Sequence, residues 1–152
     1  MPYDDLEGFA HGGLVALLDY WNVKRRERIA PSRADIDPAE IPALLANLFL
    51  VDVEGDPPVF RIRLVGTAIV DRYGEEIRGR TLEELDLGDQ LDSILDQYHQ
   101  TVRHREPTYC RHRFWRDSGG FINYERLLLP LSSDGERIDV LMGGIYELPD
   151  PL

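Results

Sequence analysis

Hydrophobic and polar positions divide this chain into two helical stripes and five alternating segments. In "LVALLDYWNVKRRERI" the apolar residues Leu14, Leu17, Leu18 and Trp21 recur at i, i+3, i+4 and i+7, one face of a helix. The cations Lys24 to Arg28 follow at the C-terminal end, where the helix dipole favours them, and Pro31 forbids continuation. A second stripe runs through "GDQLDSILDQYHQTVRHREP": Leu91, Ile94, Leu95, Tyr98 and Val102. Asp89 lies at its start, Arg103, His104 and Arg105 at its end, and Pro107 stops it.

Elsewhere the period is two. "VFRIRLV" puts Phe60, Ile62 and Leu64 on one face and Arg61 and Arg63 on the other, which predicts a half-buried strand. The apolar run "LFLVDV" precedes it across the turn "EGDPP", predicting an antiparallel hairpin. "PTYCRHRFWR", "INYERLLLPL" and "RIDVLMGGIYEL" read as three more strands joined by the turns "DSGG" and "SSDG". "APSRADIDPAEIPALLANL" is a Pro-rich connector in which "DPAEIPALL" suits a short helix with Pro38 in its first turn.

"FRIRLVGTAIVDRYGEEIRGRTLEEL" is crowded with punctuation. Thr67 is placed to cap a short helix "AIVDRY" that Gly74 ends, and Thr81 with Glu84 has capping-box spacing for another. The glycines Gly66, Gly74 and Gly79 match no phosphate-binding loop, and no Lys follows them. They end turns and helices.

The order predicts an α+β fold: a five-stranded antiparallel sheet with helices packed on one face, preceded by an N-terminal helix. The expected divisions are an N-terminal amphipathic helix within 1–30, a connector over 31–47, the sheet-bearing domain over 48–148 and a tail at 149–152.

Composition narrows the class. A chain of 152 residues, 43% hydrophobic and 30% charged, suits one globular domain with a real core. A formal net charge of −11 argues against general nucleic-acid binding, which needs a surplus of cations on phosphate. The charge is uneven: "LEELDLGDQLDSILDQ" is acidic, "KRRER" and "RHREPTYCRHRFWR" are basic, and such faces suit self-association or a protein partner. The start "MPYDDLEGF" has no signal-peptide character, no run suits a membrane span, and the single Cys110 permits no intrachain disulfide. A cytoplasmic location is the expectation.

The strand pair, the small helices around "GTAIVDRYGEEIRGRTLEEL", the long connecting helix and the final "YERLLLPLSSDGERIDVLMGGIYEL" resemble a PAS domain. More closely, Trp21 followed by "PSRADIDPAEIPALLANLFLVDV" and "RIRLVGTAIVDRYGEEIRGRTLEEL" is similar to a PAS-like family of small stand-alone bacterial proteins with no assigned activity. The resemblance runs from about Trp21 to Leu148. It implies a small-molecule pocket between the sheet and its covering helices. It also implies dimerisation and signal transfer through the N-terminal helix and outer sheet surface, and it brings no catalytic residues.

Candidate chemistry is sparse. His99 is flanked by Gln97 and Gln100 off the apolar stripe and reads as solvent-facing rather than as a haem ligand. Cys110, His112 and Phe114 alternate onto one strand face, too few ligands for zinc, so Cys110 reads as a packed thiol. No nucleophile-elbow, zincin or paired acid–base motif occurs. The candidate pocket residues are Tyr73, Arg113, Trp115, Tyr124 and Arg126, polar handles among apolar neighbours. Tyr124 and Arg126 share one strand face, Phe121, Asn123, Leu127 and Leu129 the other, and the sequence does not fix which is inner. The candidate dimer or partner helix carries Leu14, Leu17, Leu18 and Trp21.

The expectation is therefore a sensory or regulatory module that binds a small ligand, a protein partner or both, and that is not an enzyme. A homodimer and an unknown signalling partner are expected; haem and flavin have no sequence support, and no metal site is expected. A ligand-free adaptor is the alternative, and a small-molecule enzyme around His112 and Arg113 a more remote one.

Overall fold

The structure, a computed structural model, describes residues 11–73, 77–115 and 121–148. The expected Gly74 helix stop, the "DSGG" turn and the 149–152 tail lie outside the described residues. So do residues 1–10 and the side chains of Phe114, Trp115 and Phe121.

Five strands form one antiparallel sheet: β1 (Leu48–Glu54), β2 (Val59–Val65), β3 (Thr108–Trp115), β4 (Phe121–Leu131) and β5 (Val140–Leu148). Their order across the sheet is β2-β1-β5-β4-β3, so the last strand, β5, is the central one. Helices α2 (Thr67–Tyr73) and α3 (Leu91–His104) cover one face. Helix α1 (Gly12–Arg25) and the connector, wound into short 3₁₀ turns at Pro38–Glu40 and Pro42–Asn47, cover the other.

The two faces give two cores. On the inner face Phe49, Val51, Phe60, Leu128 and Leu141 pack with Ile94 and Tyr98 of α3. On the outer face Leu48, Leu50, Leu127, Leu129 and Met142 pack with Leu14, Leu17, Leu18 and Trp21 of α1. Both sets of alternating β4 residues are thus buried, and the sequence's choice between an inner and a wet face dissolves because α1 makes the outer face a second interior. Leu14 and Leu17 are 0% and 2% exposed. Full burial of one such side chain contributes about 1.5–3 kcal/mol, so the stripe contributes strongly to holding α1 on the sheet.

Close approach there depends on β5. Gly144 lies directly beneath α1, where an added Cβ would stand 2.8 Å from Leu14 Cδ2 and 3.0 Å from Leu17 Cδ2. Trp21 completes the seam, its indole Nε1–H donating to Pro130 O at 2.8 Å.

Three local expectations change. A register shift between Leu50 and Val51 opposes them to Leu64 and Ile62. This bulge carries Leu64 to the outer core while Phe60 and Ile62 stay inside, so the three do not share a face. Thr67 is the first residue of α2 rather than its cap; Gly66 precedes it, accepting from the N–H of Val70 at 3.0 Å. The Thr81–Glu84 capping box forms, with Thr81 N–H donating to Glu84 Oε1 (3.1 Å) and Glu84 N–H to Thr81 Oγ1 (3.3 Å), but it closes a turn instead of starting a helix.

Candidate functional site

Between the inner sheet face and the helices lies a cavity of about 60 Å³. Its walls come from β1 and β2 (Phe49, Ile62), α2 (Ile69, Tyr73), the 77–87 segment, α3 (Ile94, Tyr98), β4 (Arg126) and β5 (Ile145). The lining is aliphatic and aromatic except at one point. Arg126, only 3% exposed, brings a guanidinium to the wall.

Arg126 is held by neutral groups. Its Nε–H donates to Gln97 Oε1 at 2.8 Å, and Nη2 lies 3.1 Å from His112 Nε2 and 3.6 Å from Cys110 Sγ. The Tyr98 and Tyr124 rings each lie 5.9 Å from the guanidinium carbon, at cation–π range. Gln97 is fixed in turn, its amide donating to Thr108 O at 3.2 Å and Thr108 Oγ1 at 3.1 Å. Thr101 and Thr108 join hydroxyls at 2.7 Å. Cys110 Sγ donates to Gln97 Oε1 at 2.8 Å and also lies 2.8 Å from His112 Nε2. Among the described residues no carboxylate pairs with Arg126; the ion pairs there involve Lys24, Arg28, Arg61, Arg63, Arg72 and Arg111.

The titrating groups respond to burial and to that cation. Burial pushes the His112 pKa below its ordinary value and Arg126 adds to the shift, so both favour the neutral ring. Burial raises the Cys110 thiol, and Arg126 opposes this only in part, which leaves the sulfur protonated rather than activated. Tyr98 and Tyr124 are raised, again first by burial.

The outer face of the same strands anchors α1. Glu125, 0% exposed, accepts from the His11 backbone N–H at 2.9 Å and from the Tyr109 hydroxyl at 2.6 Å. Its charge therefore sits at the N-terminus of α1, where the helix dipole welcomes it. Burial, and then the hydrogen bond to that carboxylate, push Tyr109 up to about 12. The His11 ring stacks on Tyr146 of β5 at 3.5 Å between centroids.

The candidate pocket residues are thus spread. Tyr73 and Arg126 line the cavity; Tyr124 lies behind its wall, tilted against His112 at 5.3 Å. Arg113 is not a pocket residue: strand alternation turns it away from Cys110 and His112, where it is exposed and donates to Asn123 Oδ1 at 3.1 Å. Trp115 pairs through its backbone with Phe121, and its side chain lies outside the described set. Leu14, Leu17, Leu18 and Trp21 are sealed against their own sheet and are no free surface. His99 is half-buried rather than solvent-facing, edge-on to Phe60 at 5.1 Å.

Sequence reasoning missed Gln97, Thr101 and Glu125. The first two had a signal: Ile94, Gln97, Tyr98 and Thr101 recur at i, i+3, i+4 and i+7, so polar residues lie on the buried stripe itself.

The model of one protein family, described as a PAS domain, matches residues 9–146. Solved structures share the fold. A light-oxygen-voltage domain studied with a flavin analogue superposes with a TM-score of 0.56 at 13% identity, over 74% of this chain and 84% of that one. The Rhodobacter sphaeroides LOV protein gives 0.53 at 18% identity, over 74% and 69%. The PAS domain of a protein from Colwellia psychrerythraea gives 0.52 at 13%, over 74% and 98%. No curated protein matches in sequence. Among the described residues no helix is long and apolar enough to cross a membrane, and no group of three His, Cys, Asp or Glu side chains is placed to hold a metal ion.

The residues present do not fit a flavin. The cavity of about 60 Å³ is far below the roughly 300–1,000 Å³ of sites for ligands of that size, and a tricyclic ring would have to displace its walls.

Proposed function

The chain belongs to the PAS domain family, whose fold is that of sensory modules, and from that premise we propose that it binds a small molecule in the Arg126 cavity and reports it through α1. One observation carries the reading. Strands β4 and β5 line the cavity with one set of side chains and hold α1 with the alternate set: Arg126 and Ile145 inside, Glu125 and Tyr146 outside. A ligand that prefers one spacing of these strands has a direct lever on the helix, and shifts it only as far as its affinities for the two states differ.

The module works without catalysis. Cys110 is a buried, raised thiol, and no carboxylate among the described residues reaches His112 to orient it as a base. It acts in the cytoplasm as a homodimer or with a signalling partner. The exposed α1 side carrying Ala16, Asp19 and Val23 is the surface it presents, Val23 being 72% exposed.

Filling the cavity tests the relay without knowledge of the ligand. In Ile69→Phe and Ile69→Trp the added ring presses on the inner wall, and amide hydrogen exchange in α1 should quicken while β1 keeps its protection. Unchanged exchange in α1 in folded variants would remove the relay. Native mass spectrometry of the purified protein reads retained small molecules and the subunit count together.

A further inference from the structure

Resting on that sensory reading, a narrower one follows: we infer that the cavity takes a small aliphatic monocarboxylate, its carboxylate held by Arg126. Among the described residues the guanidinium is the only charged group in the lining, and the rest is hydrocarbon apart from the Tyr73 and Tyr98 hydroxyls. Among the described residues the side chains that bond to Arg126 are neutral: Gln97 from α3, Cys110 and His112 from β3, and the Tyr124 hydroxyl of β4. Tyr98 and Tyr124 also turn ring faces to it at 5.9 Å. The site therefore holds one buried positive charge that no described acid balances, and a desolvated cation is stabilised by an anion far more than by neutral acceptors.

Charge and shape select the class. One cation in an apolar chamber matches a monoanion; a phosphate dianion needs several donors, which these walls do not carry. The planar guanidinium fork matches a carboxylate. The walls beyond it, Ile62, Ile69, Ile94 and Ile145 among them, offer an alkyl chain what they would offer any core side chain. A cavity of about 60 Å³ restricts that chain to a few carbons. Glu125, the nearest acid in sequence, is no rival for Arg126, because it lies on the other face and bonds to His11 and Tyr109.

The experiment compares acids with their isosteric amides. Butyrate and 3-methylbutyrate, then butyramide and 3-methylbutyramide, are titrated into the whole chain, followed by amide shifts of the cavity residues. The expected result is binding of the acids at least tenfold tighter than of the amides. Arg126→Met should erase that preference and Arg126→Lys should keep part of it. Equal binding of acids and amides would overturn the carboxylate while leaving a ligand pocket in place. Silence from both series at about 10 mM, above a millimolar Kd, would overturn the inference outright. The sensory reading stands or falls separately, on whether cavity-filling at Ile69 loosens α1.

Discussion

Glu125 and Arg126 are consecutive on β4, and their side chains serve opposite faces of one sheet. The carboxylate accepts from the backbone N–H of His11, the residue that caps α1, at 2.9 Å, and the guanidinium, bonded to Gln97 at 2.8 Å, lines the cavity. Both are buried, at 0% and 3% exposure, and neither is paired with the other. Strand alternation keeps them apart although they are neighbours in sequence. A backbone shift of β4 that improves the contacts of one necessarily moves the other.

The anchoring half of this arrangement can be cut alone. Glu125→Ala leaves the His11 N–H and Tyr109 hydroxyl without their acceptor. Loss of such buried hydrogen bonds costs about 1–3 kcal/mol. The α1 amides should exchange faster than in the parent, with those of α3 unaffected. Equal exchange in both proteins would show that the apolar stripe alone holds the helix.

Gly144→Val attacks the same seam sterically. Its Cβ would meet Leu14 Cδ2 at 2.8 Å, and the extra methyls have nowhere to go between β5 and α1. Overpacking of this kind costs about 1–3 kcal/mol. In a Trp115→Phe background Trp21 reports the result, since its indole is 2% exposed and hydrogen-bonded to Pro130 O. Its emission should shift to the red. An unshifted emission maximum would mean that the sheet, not the helix, yields.

How much of this was legible depends on which periodicity the residues obey. The five strands and two long helices follow from alternation and from the stripes at 14–21 and 91–102, because a single apolar face dictates each. The second core was harder to see. "LLLPL" at the end of β4 is apolar on both faces, the pattern of a strand buried twice, yet charged Glu125 and Arg126 precede it and imitate a wet edge. That α1 folds back over Gly144 is a tertiary fact with only that glycine as its trace. Arg126 stood out by type, but its neutral surroundings could not be read before Gln97 of α3 and His112 of β3 were brought together across the fold.

His112 predicts a pH dependence. Its folded pKa is depressed, first by burial and then by Arg126, whereas in the unfolded chain it titrates near about 6.5. The unfolded state therefore binds the proton more readily. The contribution to stability is fully present above about pH 6.5 and is lost as the pH falls from there through the folded value. His112→Gln lacks this term, so the gap between urea midpoints of parent and variant should change between about pH 7.5 and 5, the parent losing ground on acidification. Parallel midpoints across that range would show that His112 protonates as easily folded as unfolded.

Arg126→Met separates function from stability. In a part built only for folding, a buried guanidinium surrounded by neutral acceptors is a liability, because its desolvation is not repaid by an opposite charge. Replacing buried ionic groups by apolar ones of similar volume is often neutral or stabilising by about 1–4 kcal/mol. Methionine suits the gap, being unbranched and adaptable. The groups left behind keep partners: Gln97 Oε1 still accepts from Cys110, His112 Nε2 remains 2.8 Å from the same sulfur, and the Gln97 amide still donates to Thr108. The variant should therefore unfold in urea at or above the parent's midpoint, while losing its preference for acids over amides. A loss of more than about 3 kcal/mol, the scale at which removing one partner breaks a buried network, would instead make Arg126 a keystone of the Gln97–Cys110–His112 cluster, kept for folding rather than for a ligand.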